Sequence, residues 1–345
     1  MSEQLLSDSQ INVNSKMDAS RLTYTNLNQA VLEPVDLKAV SSNELCIETL
    51  YSGISRGTEK LIYSGLVPIS EHERMRCPHQ VGEFTFPVTY GYACVGKVIE
   101  VGTSVSKAKV GDHVFVLHPH QTRFVVSEDW VNVIPANFGN LRKAVLAANM
   151  ETALNANWDA ESETAGSIAI IGAGVVGLLT AYIAKSHSGL HPVIIDIDPD
   201  KRSVAEKMGF RFLLANEALH MHSQRFDCVF HTSASQEGLR LGLKLADFEG
   251  RIIEMSWYGE KEVSIPLGGA FHSQRLELVS SQVGHVARSK RPTITHADRM
   301  TQAIALLRDP ILEDLLFPVV PFTQLPNNID EILTSGTSLC PLVTY

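Results

Sequence analysis

The sequence predicts an α/β chain in two parts, a β-rich unit followed by a doubly wound parallel sheet. Three observations predict it. Near residue 167 the rhythm changes from strands and turns to short apolar strands that alternate with helical segments. The run Ile168-Ala-Ile-Ile-Gly-Ala-Gly-Val-Val-Gly-Leu-Leu179 joins a buried strand, a glycine turn and the opening of a helix. The chain has 345 residues, enough for two sizeable cores.

Taken in order, residues 1–20 are polar and lack the apolar core of a signal peptide, so they are expected to form a loosely ordered tail. A first domain is expected over 21–150. Residues 44–50 alternate polar and apolar, as a half-buried strand does, and 91–101 and 111–117 are β-rich segments broken by glycine turns. That spacing suggests a small barrel-like domain. Residues 66–90, richer in charge and proline, read as a long loop, and a helical stretch over 141–158 leads onward. A second domain is expected over 151–285. Its strand candidates are Ile168–Ile171, Val193–Asp196, Arg211–Leu214, 228–231 and 251–255, with helices over 178–185, 201–208 and 236–246. Residues 286–345 hold one amphipathic helix (297–308) and short β-like pieces; too short for a domain, they are expected to complete the first one.

The glycine run carries the first functional reading. Gly172, Gly174 and Gly177 stand in the spacing G-x-G-x-x-G. The first lets the chain turn tightly, the second lets the backbone approach a pyrophosphate, and the third lets helix pack on strand. Val175 and Val176 open the helix, whose N-terminal N–H groups and positive dipole end suit phosphates. The next strand ends in Asp196, about 20 residues on, where a carboxylate accepts ribose hydroxyls. These residues predict a Rossmann-type dinucleotide site. Asp196 favours NAD(H), since it would repel a 2′-phosphate. Lys201 is placed to reach the same ribose, and with Arg202 leaves room for NADP(H).

Composition narrows the rest. A formal net charge of -9 argues against a nucleic-acid or polybasic membrane surface. No apolar run approaches the roughly 20 residues that span a bilayer. Five scattered cysteines show no disulfide rhythm, so a cytoplasmic protein is expected.

Three motifs carry a family resemblance: Ser52-Gly-Ile-Ser-Arg-Gly-Thr-Glu59; Gly91-Tyr-Ala-Cys-Val-Gly-Lys-Val98 with Val101-Gly102 and Val110-Gly-Asp-His-Val114; and the glycine fingerprint. With their order they resemble the medium-chain dehydrogenase/reductase superfamily, the alcohol-dehydrogenase-like enzymes. The first motif also resembles the bacteriochlorophyllide-dehydrogenase-like branch. The resemblance implies a GroES-like β-rich catalytic domain beside the Rossmann domain, and a homodimer. It also exposes departures. At the family's catalytic zinc positions stand Ser55, Tyr92 and, at or beside the third, Ala148; no four cysteines cluster as for a structural zinc. A member without zinc is therefore expected, since that site needs thiolate and imidazole donors.

Without a metal, a side chain or water must polarise the reacting oxygen or move the proton. The candidates are His118 and His120, of which His118 matches a pocket-lining position; Tyr92, either a hydrogen-bond donor or a filler of the lost metal's volume; and Thr58. Glu59 is expected to tie down its loop through Arg56, and Arg56 matches a position that touches the pyrophosphate. Thr152, Thr232 and Ser233 are expected at the nicotinamide half. The expected function is hydride transfer between nicotinamide and an alcohol/carbonyl pair, or an activated double bond, of a small polar substrate. The alternative is a non-catalytic NAD(H)-binding sensor or structural paralogue.

Overall fold

The computed structural model describes residues 18–220, 225–336 and 338–345. Of the expected tail, residues 1–17 lie outside the described residues, and 18–20 already open strand β1 (Asp18–Asn26). β1 pairs antiparallel with β2 (Gln29–Asp36).

The first large sheet is built on β3 (Glu44–Gly53), whose antiparallel partners are β4 (Cys94–Val101) and β6 (Arg123–Ser127). β5 (His113–Val116) and β7 (Val131–Val133) extend it beyond β4. The alternation of β6, with Phe124 and Val126 buried, follows from one face packing on the core. Between β3 and β4 lies helix α1 (Arg56–Tyr63), ahead of the stretch 66–90 expected as loop. It buries Glu59, Ile62 and Tyr63 on one side.

Helix α2 (Ala147–Ala160) is nearly all buried and links the two sheets. One apolar cluster runs from Val95 and Phe115 through Met150 and Leu154 to Ile170, Leu178 and Phe230.

The second sheet is fully parallel among the described residues. Its strands are β8 (Ile168–Ile171), β9 (Val193–Asp196), β10 (Arg211–Leu214), β11 (Phe226–His231), β12 (Ala246–Glu254) and β13 (Glu277–Ser280). Their order is β10-β9-β8-β11-β12-β13. This is the doubly wound order, which reverses direction at β8, beside β11. Crossovers are made by α3 (Val175–Ser188), α4 (Arg202–Lys207), α5 (Ala215–Leu219) and α6 (Gln236–Leu245). β8, β9 and β10 lie where the apolar runs predicted strands; the edge strand β13, half exposed and short, gave no such run.

The chain then leaves this sheet. α7 (His296–Leu306) packs on α2, where buried Arg299 bonds Glu151 and Asn155. After β14 (Val319–Pro321) and α8 (Leu325–Thr334), β15 (Leu342–Thr344) pairs antiparallel with β3, so the last strand lies in the first sheet. No helix among the described residues is long and apolar enough to cross a membrane.

Candidate functional site

A cleft of about 950 Å³ opens where the second sheet reverses its strand order, with the N-terminal turn of α1 facing the ends of β8, β9 and β11. Crevices outside the carboxyl ends of strands at such a reversal are where this architecture binds ligands.

The glycine turn forms the floor, and each position is used differently. Gly172 sits at φ +112, which a side chain rarely adopts. A Cβ at Gly177 would lie 2.0 Å from the Gly172 carbonyl oxygen, so helix and turn meet there only through glycine. A Cβ at Gly174 would meet nothing within 4 Å; it would project into the cleft. Gly174 is also the N-cap of α3 and makes no side-chain cap bond, so the first N–H groups of Val175, Val176 and Gly177 have no capping side chain.

Asp196 closes β9 beside this turn. Its Oδ2 accepts the Ala173 N–H at 2.6 Å and its Oδ1 the Asp198 N–H at 2.9 Å. Both oxygens are fixed in place and keep a further lone pair each. Ile197, 84% exposed, lends an apolar wall. These features fit a dinucleotide: a bare backbone cradle, a helix N-terminus, a fixed carboxylate and an apolar surface.

Other expected cofactor contacts are differently employed. Arg56 lines the cleft, but its guanidinium donates to the carbonyls of Ile332, Ser335 and Ser338. Lys201 also lines it, while its Nζ donates to the Gly336 carbonyl at 2.6 Å. Both cations therefore brace the loop after α8 instead of presenting free charge to a ribose or pyrophosphate. Thr232 directs its hydroxyl at the Gly172 carbonyl at 3.0 Å, which holds the glycine turn. Thr152 is turned back on its own helix, donating to Ala148 O, and is not among the residues lining the cleft. Ser233 does line it.

At the α1 end, the motif Ser-Arg-Gly-Thr-Glu builds a knot of hydroxyls. Ser55 and Thr58 face the cleft, and behind them the Tyr92 hydroxyl is bonded to Ser55 Oγ and lies 3.3 Å from Thr58 Oγ1. Burial pushes the Tyr92 hydroxyl up to about 12, against the opposing effect of its bonds to Ser55 and Thr58, so it is a protonated donor at neutral pH. Sequence reasoning brought Tyr92 and Thr58 forward, and the fold unites them.

The two histidines do not join that group. His118, 6% exposed, stacks on Phe124 with centroids 3.8 Å apart and on His79 at 5.2 Å. Burial drives it down to about 3, so it stays neutral and is no general acid at ordinary pH. The turn after β5 sends its ring into the sheet core, not into the cleft. His120 is wholly buried. Its Nε2 meets Glu59 Oε2 at 3.1 Å and its Nδ1 meets Ser52 Oγ at 2.7 Å. Glu59 also accepts the Tyr24 hydroxyl and the Ser55 N–H, so it anchors α1 through these groups and not through Arg56 as expected.

A second histidine–carboxylate pair escaped sequence reasoning. His231 ends β11 and Glu254 ends β12; they are register partners 23 residues apart, with His231 Nδ1 2.8 Å from Glu254 Oε2. Its Nε2 lies 2.7 Å from the cleft-lining Ser233. The signal was available: each residue closes an apolar strand, and a parallel sheet brings such ends together.

At the family's zinc positions, Ser55 and Tyr92 supply two neutral hydroxyls bonded to one another, and buried Ala148 supplies none. This donor set does not fit zinc, which takes thiolate, imidazole or carboxylate ligands. Among the described residues no group of three or more His, Cys, Asp or Glu side chains could hold a metal ion.

Comparison with known proteins adds the lineage. Residues 41–193 match the alcohol dehydrogenase GroES-like domain, and 175–301 the family described as zinc-binding dehydrogenase. The chain is 27% identical over 192 residues to 2-desacetyl-2-hydroxyethyl bacteriochlorophyllide A dehydrogenase of Cereibacter sphaeroides, covering 51% of this chain and 55% of that one. It spans 8% to 65% of the length of the first curated relatives it matches, less than two thirds of each. The fold matches a short chain alcohol dehydrogenase of Escherichia coli CFT073 complexed with NADH, with a TM-score of 0.76 at 16% identity over 95% of this chain and 99% of that one. It also matches a zinc-binding dehydrogenase of Sinorhizobium meliloti 1021 bound to NADP, with a TM-score of 0.77 at 14% identity over the same shares.

Proposed function

The chain belongs to the medium-chain dehydrogenase/reductase superfamily, whose alcohol-dehydrogenase-like members are oxidoreductases, and on that premise we propose that it is a zinc-independent, nicotinamide-dependent oxidoreductase preferring NAD(H). The observation that carries this reading is the cleft itself: a glycine cradle and a fixed Asp196 on one side, a cluster of hydroxyls on the other.

When bound, the nicotinamide supplies or accepts the hydride. The chain's residues do the remainder. The backbone at Gly174–Gly177 receives the pyrophosphate, and Asp196 accepts the hydroxyls of the adenosine ribose. Ser55 and Thr58 present O–H donors to the oxygen of a carbonyl/alcohol pair, and the Tyr92 hydroxyl behind them fixes their orientation. Preset donors of this kind stabilise charge growing on a carbonyl oxygen without metal. The polarity of this end supports a small polar substrate, with carbonyl and activated double-bond reduction both open.

Five buried free cysteines suit the reducing cytoplasm. The exposed edge strand β13, with Leu278 39% exposed, offers a free edge for a homodimer, which sedimentation velocity would test.

The test is binding and turnover with one purified sample. NADH is expected to bind more tightly than NADPH, and Asp196→Ser to erase that preference, a change of roughly tenfold or more. Turnover across a panel of carbonyls and enones is expected to survive a chelator, with no stoichiometric zinc by metal analysis. Binding of neither cofactor would sink the proposal. Tight binding without any turnover would favour the non-catalytic sensor, and stoichiometric zinc would overturn the metal-free chemistry.

A further inference from the structure

The pair His231–Glu254 has a feature that its burial alone does not explain: it has one outlet. Glu254 accepts from the Ser256 N–H at 2.8 Å and the Tyr258 hydroxyl at 3.1 Å, as well as from His231 Nδ1. Burial pushes the Glu254 carboxyl up, but the His231 contact and the Ser256 N–H outweigh this and hold it below the usual range. An ionised carboxylate only accepts, so Nδ1 carries the proton. In the neutral ring Nε2 is then an acceptor, and the Ser233 O–H points at it across 2.7 Å.

The next contact completes the assignment. Ser235 Oγ lies 3.0 Å from Ser233 Oγ and accepts the Gly238 N–H at 3.0 Å. With the Ser233 proton committed to Nε2, the Ser235 hydroxyl is the donor to Ser233. Ser233 Oγ thus donates its hydrogen bond to the imidazole and accepts one from Ser235. What remains is a lone pair on an exposed residue that lines the cleft. Gly238 is needed for this packing, because a Cβ there would lie 2.3 Å from Ser233 Oγ and 2.7 Å from His231 Nε2.

We propose that Ser233, positioned by His231 and Glu254, is a hydroxyl-reading site: it accepts a hydrogen bond from a ribose hydroxyl of the bound dinucleotide. This rests on the nicotinamide reading above. The groups that face His231 from neighbouring elements are Glu254 on β12, Tyr258 and Ser256 beyond it, Ile171 on β8 and Gly238 on α6. Of these only Glu254 and Tyr258 titrate, and burial raises the Tyr258 hydroxyl well above its ordinary value, so Glu254 is the one charge facing the ring.

The experiment uses the full chain and five probes: NADH and four NADH analogues that each lack one ribose hydroxyl. One analogue is expected to bind the wild type about tenfold more weakly than NADH and to bind Ser233→Ala as well as NADH does, which identifies the hydroxyl read. Glu254→Gln leaves the shape of the pair but lets Nδ1 accept, so Nε2 donates and Ser233 turns its proton outward. A ligand hydroxyl can also accept that proton, so this variant is expected to shrink the tenfold discrimination while its melting temperature stays within a few degrees of wild type. NADH binding that is equally sensitive to every hydroxyl in wild type and Ser233→Ala would overturn this inference alone. A wild type that binds no nicotinamide cofactor would overturn the function proposed above and this inference with it.

Discussion

The molecule contains two histidine–carboxylate pairs of the same chemistry in opposite settings. His120–Glu59, under α1, is closed: the Glu59 carboxylate takes the Tyr24 hydroxyl, the Ser55 N–H and the imidazole, and the other ring nitrogen leads through Ser52 to the Tyr345 hydroxyl. Every proton in that chain is spent inside the protein. His231–Glu254 is open, with its far nitrogen on a serine that lines the cleft. The comparison teaches that an imidazole beside a carboxylate says little about function until its other nitrogen is followed to the end. The closed pair holds α1 in place; the open pair speaks to a ligand.

The largest effect expected from this contrast is on stability. Glu59→Ala strands a buried imidazole, a tyrosine hydroxyl and a backbone N–H, and is expected to cost about 3–5 kcal/mol in denaturant unfolding. A loss as small as that from Glu254→Gln would erase the distinction between the two pairs. Gly238→Ala strikes the open pair instead. Its methyl group forces Ser233 and His231 apart, and NADH affinity measured by fluorescence is expected to fall roughly tenfold, the scale of an overpacked contact. Unchanged affinity would mean that the relay is not tied to the cleft.

Between the two lies the hydroxyl knot at Ser55, which touches Glu59 through its N–H and the cleft through its side chain. Tyr92→Phe is expected to lower kcat about tenfold, one donor's worth, with NADH affinity unchanged. A loss of NADH affinity with kcat intact would return Tyr92 to the role of filler. The smallest effect at neutral pH belongs to His118→Phe. His118 is neutral in the fold, down at about 3, and an unfolded histidine titrates near 6.5, so the unfolded state binds more protons between those values. Stability from this site is fully present above about 6.5 and is lost as pH falls toward 3. The variant is expected to melt less steeply with acid over that window while keeping its activity; an identical acid profile would contradict the buried neutral ring.

What was legible in the sequence follows from distance along the chain. The strand, glycine turn and helix at 168–179 are local, and the strand Val193–Asp196 repeats the pattern within a short span, so the cofactor end was read residue by residue. Tyr92 and Thr58 were reached through family motifs, yet their meeting depends on the pairing of β3 with β4, which no local pattern encodes. His118 was misplaced for a related reason: spacing located it after β5, but only the turn geometry decides which side of the sheet receives the ring. His231 and Glu254 needed a register across two parallel strands joined by a helix. Arg56 and Lys201 were read as charges offered to phosphate and ribose, and both had carbonyl partners in a loop far along the chain.

That shared loop has a mechanical meaning. Arg56 projects from the end of the β-rich half and Lys201 from the parallel-sheet half, and both grip the short stretch between α8 and β15, at Ser335, Gly336 and Ser338. The cleft lies between the same two halves. Parting the cleft walls at Arg56 and Lys201 would break their bonds to these carbonyls, so this stretch ties one wall of the cleft to the other. The two cations thus hold their charge against backbone carbonyls at the rim of the cleft.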